Sequence, residues 1–537
     1  MSYTAHVDTF ARDNLPPRGD WPEMIFDLPE LRYPARLNCA VELLDGALAR
    51  GWRDRVSIRA ADGQCTYGQL LAQANRIARV LVEDMGLKPG NRVLLRGPNN
   101  PMMAACWFGV FKAGGIVVGT MPLLRAKELT EIVNKAQVTH ALCDKRLEAD
   151  LAAALPACLT LTSIKFWYDD DPASLEALCA TKPGSFRNVD TSAEDPALIA
   201  FTSGTTGKPK GTVHFHRDVI AMCDCFPRSC LKPSKEDVFC GTPPLAFTFG
   251  LGGMLCFPLR FGASTILLER LTPDGLLEAV QKFRATICFT APTFYRQMAP
   301  LARNHTLKSL KKCVSAGEAL PDATRQLFRN ATGIEIIDGI GATEMIHIFI
   351  SHTPERVRRG ATGYAIPGYK ATVLDPKGKP CAPGVVGRLA VKGPTGCRYL
   401  ADPRQKTYVQ KGWNVTGDAY LMDKDGYFFY QARTDDMIVS AGYNIAGPEV
   451  EGALLTHEAV AECGVVGIPD EERGQIVMAY VVLKLGYQRT EAVTRMLQDH
   501  VKNAIAPYKY PRAIEFADTL PRTETGKLQR FKLRNKP

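Results

Sequence analysis

The segment Phe201-Thr-Ser-Gly-Thr-Thr-Gly-Lys-Pro-Lys-Gly211 concentrates the groups that hold a polyphosphate. Its glycines free the backbone, the hydroxyls of Thr202, Ser203, Thr205 and Thr206 can donate hydrogen bonds, and Lys208 and Lys210 bring positive charge. It is not a Walker A loop, because only Thr205 and Thr206 separate Gly204 from Gly207-Lys208, and Pro209 stands where a Ser or Thr should follow. Another kind of nucleotide site is needed. Downstream, Gly339-Ile-Gly-Ala-Thr-Glu344 adds a hydroxyl beside a carboxylate. A Thr-Glu pair alone would read as a helix cap, but its place after Gly341 and behind a phosphate loop points to function.

The elements that must position these groups follow from hydrophobic spacing. Thr66 to Glu83 reads as a helix with Leu70, Leu71, Ala74, Ile77, Ala78 and Leu81 on one face; Arg92 to Leu95 reads as a strand and Ala104 to Lys112 as a helix. The rhythm returns with strands at Ala197–Phe201 and Thr286–Phe289, a helix at Gly275–Phe283, and Ser309–Val314 leading to another strand, so two α/β sheets are expected. From Tyr369 to Val391 short runs broken by turns predict an antiparallel or barrel-like piece. Beyond Arg433-Thr-Asp-Asp436 a small α+β domain is predicted, with a strand at Met437–Ser440, a helix from Pro448 to Leu455 and a strand at Val477–Leu483. The expected fold is thus α/β, with a large domain over 1–434 and a small C-terminal lid over 435–537.

Composition narrows the class. A chain of 537 residues exceeds a single core, and 46% apolar with 23% charged residues excludes disorder, collagen-like repeats and coiled coil. The net charge of +10 is too dilute for a nucleic-acid stripe and suits an anionic small ligand. The sixteen cysteines lack zinc-ribbon spacing. Even Cys223, Cys225 and Cys230 near His214 and His216 read as structural, and unpaired thiols fit a reducing cytosol. The opening residues have no apolar signal core, and Met102–Leu124 is broken by Lys112, so neither export nor a membrane span is expected.

In order along the chain, the phosphate loop, Gly339-Ile-Gly-Ala-Thr-Glu344, Trp413-Asn-Val-Thr-Gly-Asp418, Arg433-Thr-Asp-Asp436 and Pro521-Arg-Thr-Glu-Thr-Gly-Lys527 resemble the adenylate-forming superfamily of acyl-CoA synthetases, adenylation domains and luciferases. The resemblance covers essentially the whole chain. It implies a two-step reaction in which a carboxylate attacks the α-phosphate of Mg-ATP to give an acyl-adenylate and pyrophosphate, and a thiol then displaces AMP. A carboxylate is a poor electrophile, so it is made into a mixed anhydride, and cations and oriented donors compensate the charge of the transition state. By resemblance, Thr202, Ser203, Gly204, Thr205, Thr206 and Lys210 cradle the β- and γ-phosphates, Thr343 meets the α-phosphate, and Glu344 helps hold Mg²⁺. Asp418 and Arg433 meet the ribose, and adenine lies near Gly317-Glu318-Ala319 and Asp338-Gly339-Ile340. Ile340 departs from the family's usual Tyr, so aromatic stacking on adenine is lost. Lys527 bridges carboxylate and α-phosphate, Asp435 is the hinge about which the small domain turns, and Ala441-Gly442-Tyr443 lines the CoA channel.

The acid is suggested by local wording. Asp338-Gly-Ile-Gly-Ala-Thr-Glu-Met-Ile-His347 resembles benzoate-type CoA ligases, and Ala246-Phe-Thr-Phe-Gly-Leu-Gly fits their aromatic-lined pocket. Phe247, Ala316, Gly317, Ile340, Gly341 and His347 are the candidate pocket, suited to a planar aryl acid. The opening Ala5-His-Val-Asp-Thr-Phe resembles 2-aminobenzoate-CoA ligases, which favours that acid over benzoate. The chain ends ten residues after Lys527, leaving no room for a fused carrier domain, so free CoA is the expected acceptor. The basic end, Arg522, Arg530, Lys532, Arg534 and Lys536, either favours its phosphates or is a solvated charge run. The alternatives are a medium-chain fatty acyl-CoA synthetase, a carrier-protein-loading enzyme and a non-catalytic ligand-binding relative. The last is disfavoured by the intact Thr343, Glu344, Asp418 and Lys527. A monomer or homodimer is expected.

Overall fold

The structure, a computed structural model, describes residues 3–202, 209–434, 436–441, 443–522 and 528–534. Its first sheet has six strands in the order Ser163–Trp167, His140–Asp144, Arg92–Arg96, Ile116–Thr120, Pro196–Thr202, Lys210–Phe215. All neighbours are parallel except the last pair, which runs antiparallel. Central strands covered on both faces read as near-continuous apolar runs, and Arg92–Arg96 is buried at every position. Its terminal arginines survive burial by bonding backbone: Arg96 donates to the carbonyls of Met121, Pro122 and Leu124 at 3.0, 3.1 and 2.9 Å.

The helix predicted from Thr66 is Tyr67–Arg79, opened by a capping box between Thr66 and Gln69 and continued as a π turn over Val80–Asp84. Helix Pro101–Lys112, capped by Asn100, is buried nearly all round. This explains the long apolar stretch as a core helix followed by the strand Ile116–Thr120. Lys112, fully buried, is neutralised by Asp45 at 2.6 Å. Among the described residues no helix is long and apolar enough to cross a membrane.

A second sheet of nine strands is ordered Tyr364–Ala365, Ile348–Ser351, Ile336–Gly341, Lys312–Ser315, Ile287–Thr290, Val238–Gly241, Ser264–Ile266, Val56–Ala60, Gly63–Thr66. Its six inner strands are parallel and its ends antiparallel. The turn-rich region forms an antiparallel five-stranded sheet that includes Lys370–Leu374, Gly387–Lys392, Trp413–Met422 and Phe428–Arg433. The C-terminal part has its own core around Val450, Leu454, Val465, Val477, Leu497 and Val501. It carries the hairpin Ile438–Ser440/Tyr443–Ile445, a three-stranded sheet, and helices Gly447–Leu454 and Glu491–Ala504. Two α/β sheets, a barrel-like sheet and a small α+β unit are therefore all present.

Candidate active site

In open α/β sheets ligands gather at the carboxyl ends of parallel strands, and part of the sequence-predicted set sits there. Thr202 ends strand Pro196–Thr202 and faces Lys210 across the antiparallel pair, so the phosphate segment is the connection of a hairpin. Ala316 and Gly317 follow strand Lys312–Ser315; Asp338 to Gly341 complete strand Ile336–Gly341; Thr343 and Glu344 open the short helix after it. Ser203, Gly204, Thr205, Thr206, Asp435, Gly442 and Lys527 lie outside the described residues.

Glu344 is buried, and one carboxylate oxygen, Oε1, accepts from the Tyr399 hydroxyl at 2.5 Å. The same hydroxyl accepts from Lys210 Nζ at 3.2 Å. Burial, with the Glu344 charge, pushes the Tyr399 phenol far above its usual range, so it remains a donor. Thr343 is fixed through its backbone, whose carbonyl accepts from His214 Nε2 at 2.7 Å. A carbonyl cannot donate, so that nitrogen carries the hydrogen. His214 lies 3.8 Å from Asp218, which pairs with fully buried Arg398 at 2.8 Å. Burial would raise Asp218, but Arg398 and His214 win and hold it well below the usual carboxylate range.

Strand pairing sets Asp418 opposite Arg433, and the guanidinium Nη1 donates to Asp418 Oδ1 at 3.1 Å. Gly417 has φ 79°, and a Cβ there would lie 3.1 Å from Arg433 Nη2, so glycine is needed for this approach. Burial lifts the Asp418 carboxyl above its ordinary value against the pull of Arg433. Asp338 is lifted to about 7, again by burial. Glu318 accepts from Thr293 at 2.9 Å and from Arg522 at 3.2 Å. Arg522 also forms an isolated antiparallel bridge with Leu528, so both described flanks of the Lys527 motif meet beside the Glu318 segment.

The acyl-pocket candidates divide. Phe247 is half-buried at the start of helix Thr248–Gly250, which continues as a π-helix over Leu251–Cys256. His347 is buried and caged by rings, with centroid distances of 4.5 Å to Phe257, 5.6 Å to Phe249 and 6.0 Å to Phe226. Desolvation lowers it to about 3, so the imidazole is neutral. Gly341 lets this turn close, since a Cβ there would be 2.8 Å from the His347 backbone. The β-branched Ile346, between Glu344 and His347, has φ 64°, a strained conformation of the kind that clusters at functional sites.

Sequence reasoning missed Tyr399, read His214 as structural, and held Phe249 only within the aromatic run from Ala246 to Gly252. Tyr399 sits in Gly396-Cys-Arg-Tyr-Leu400, which carries no motif signal, whereas His214 could have been found by its place four residues after Lys210 on one strand. Three arginines of the basic end are paired within the protein, while Lys536 lies outside the described residues. Arg522 engages Glu318 and Glu462, Arg530 chelates Glu451 at 2.8 and 2.7 Å, and Arg534 pairs with Asp436. Among the described residues no group of three or more His, Cys, Asp or Glu side chains is arranged to hold a metal. The donor chemistry nonetheless fits Mg²⁺, which is commonly held by one or two carboxylates together with substrate phosphates. Glu344, with one oxygen bonded to a phenol, is such a hard-oxygen donor.

The chain matches the AMP-binding enzyme family over residues 47–399 and the AMP-binding enzyme C-terminal domain over 449–527. It is 36% identical over 513 residues to a benzoate–CoA ligase of Thauera aromatica, covering 94% of this chain and 97% of that one. It is 32% identical over 511 residues to a 4-hydroxybenzoate–CoA/benzoate–CoA ligase of Rhodopseudomonas palustris, covering 93% and 94%. Among solved structures, an anthranilate CoA ligase in complex with anthranoyl-AMP superposes with a TM-score of 0.90 at 32% identity, covering 94% and 98%.

Proposed function

Because the chain belongs to the AMP-binding enzymes, in their acyl- and aryl-CoA ligase branch, we propose that it converts an aryl carboxylate, 2-aminobenzoate in preference to benzoate, into its CoA thioester through an acyl-adenylate. The observation that carries this reading is that the Tyr399 phenol joins Lys210 to Glu344 next to Thr343, with the Asp418–Arg433 pair within electrostatic reach of Glu344.

In this reading Thr202, Lys210 and the connection between them hold the β- and γ-phosphates, and Thr343 meets the α-phosphate. The Asp418 carboxylate accepts from the ribose hydroxyls while Arg433 orients it. Glu344 would hold Mg²⁺, which when bound would supply positive charge to offset that of the phosphates. Lys527 lies beside the reacting carboxylate during adenylation, and the pairing of Arg522 with Glu318 supports this by bringing its flanks to the adenine segment. We assign the large domain to 1–434 and the lid to 435–537, with Asp435 as hinge. The exposed turn at Ala441 and Tyr443 would face the thiol after the lid rotates. Neutral His347 and its phenylalanine cage suit a planar ring, and the anthranilate ligase structure supports the amino-substituted acid.

The deciding experiment is AMP release from ATP and CoA with 2-aminobenzoate, benzoate, 4-hydroxybenzoate and octanoate. The expected order places the first two ahead. A preference for octanoate overturns the aryl pocket and leaves adenylation standing, whereas AMP release that does not require CoA points to another acceptor.

A further inference from the structure

A relay of three side chains joins strand Lys210–Phe215 to the short helix Thr343–Met345. Lys210 Nζ donates to the Tyr399 hydroxyl at 3.2 Å, and that hydroxyl donates to Glu344 Oε1 at 2.5 Å. A phenol has one hydrogen to give and lone pairs to accept with, so the order of the relay is set by chemistry. Tyr399 is only 1% exposed and is held from several sides. Its backbone N–H donates to Gln405 at 2.9 Å, its backbone bridges to Thr212, and the next residue, Leu400, donates to the Gly211 carbonyl at 2.8 Å. Its ring meets Tyr408 edge-on at 5.8 Å. The hydroxyl therefore has a fixed position, while the two groups it joins end flexible side chains.

The phenol also stands between opposite charges. In a desolvated crevice a lysine and a carboxylate left to meet would form a strong direct pair, which an incoming cation would have to break. We propose that Tyr399 is a positioning residue for the nucleotide's divalent cation. It occupies one oxygen of Glu344 so that the other is presented to the metal, and it keeps Lys210 and Glu344 from neutralising one another. The inference rests on the reading of Glu344 as a metal-side carboxylate.

Binding of Mn²⁺ tests it, read as the loss of the free-ion EPR signal at saturating α,β-methylene-ATP with no acid or CoA present, so that no turnover is involved. A hydrogen bond to a charged group is worth about 1.5–3 kcal/mol, so Tyr399→Phe should raise the Mn²⁺ midpoint roughly ten- to a hundredfold. In a Glu344→Gln background the same substitution should change it less than about twofold, because the two residues act as one unit. An unchanged midpoint in Tyr399→Phe, or effects of the two substitutions that multiply, overturns the role of Tyr399 alone. If Tyr399→Phe does not fold, 3-fluorotyrosine at position 399 decides the matter: bound Mn²⁺ should broaden its ¹⁹F signal in the parent and leave it sharper in Glu344→Gln, and a signal left sharp in the parent overturns the role. If Glu344→Gln by itself leaves the midpoint unchanged, the metal reading of Glu344 fails and the inference falls with it.

Discussion

Asp418 illustrates how a single side chain acquires a task from its surroundings. Burial makes its ionised form costly, and the Arg433 guanidinium 3.1 Å away offsets that cost. The carboxylate is thus held in place with acceptor capacity left for a diol. Asp418→Asn keeps the shape, removes the charge and puts an amide donor where only acceptors serve. With charge-assisted bonds worth about 1.5–3 kcal/mol, ATP affinity should fall roughly ten- to a hundredfold. Titration calorimetry with ATP and no acid checks this; a change below about threefold removes Asp418 from the ribose site.

At the scale of elements, the π-helix Leu251–Cys256 shows why the glycines of Phe249-Gly-Leu-Gly-Gly253 are there. A Cβ on Gly252 would lie 2.4 Å from His347 Cδ2, and one on Gly253 would lie 2.6 Å from Phe289 Cδ1. The imidazole cannot retreat easily, since the rings of Phe257, Phe249 and Phe226 pack against it with centroids 4.5, 5.6 and 6.0 Å away. Gly252→Ala should therefore destabilise the protein by about 1–3 kcal/mol and shift its ratio of kcat/KM between aryl acids, whereas Gly452→Ala, at a helix position with open space, should do neither. Thermal unfolding together with the acid panel tests the pair; equal behaviour of the two variants dissociates Gly252 from the cage. This element also marks what the sequence reveals. Helix Tyr67–Arg79 and strand Arg92–Arg96 were legible because their apolar periods are strong and their boundaries carry a capping box and flanking turns. The phosphate-loop candidates stood out because glycines, hydroxyls and lysines are packed together in Phe201–Gly211, whereas Thr343, Glu344, Asp418 and Arg433 were picked out by the order of the family's motifs. The relay through Tyr399 was not legible, because it depends on an isolated bridge between chain segments nearly 190 residues apart, Thr212 and Tyr399, which no local spacing records. Nor could the pairing of Arg522 and Arg530 be read, since their carboxylates arrive from Glu318, Glu462 and Glu451.

Across the whole molecule, two sets of charges govern behaviour. His6, His216, His347 and His352 are buried and lowered to about 4, 3, 3 and 4 by desolvation. As pH falls through their ordinary value of 6.5, the unfolded chain takes up protons that the folded one refuses, so their contribution is full above about pH 7 and is lost on acidification. Asp338, raised to about 7, and Asp418, also raised, act in the opposite sense and cancel part of the slope. His140 and His457 are lowered as well and Asp218 is held low, so the groups that lose stability on acidification outweigh the two raised carboxyls and stability should fall from about pH 6 to 4.5; a melting temperature flat over that range contradicts it. The second set spans the two domains. Arg522 reaches Glu318 on the large domain and Glu462 on the small one, and Arg296 donates to the carbonyls of Ala461 and Val460 at 3.1 and 3.3 Å. On the proposed reading of 435–537 as a lid, these contacts favour the orientation in which Arg522 and Leu528 lie beside the Glu318 segment. The Arg522–Glu318 pair is partly exposed, so its worth is at most about 1 kcal/mol after solvent screening. Arg522→Ala should thus slow pyrophosphate release by about three- to fivefold, the rate equivalent of that energy. Thioester formation from supplied acyl-adenylate, which needs the other orientation, should stay within about twofold. Equal slowing of both half-reactions would show that Arg522 supports the fold of the lid and not its orientation.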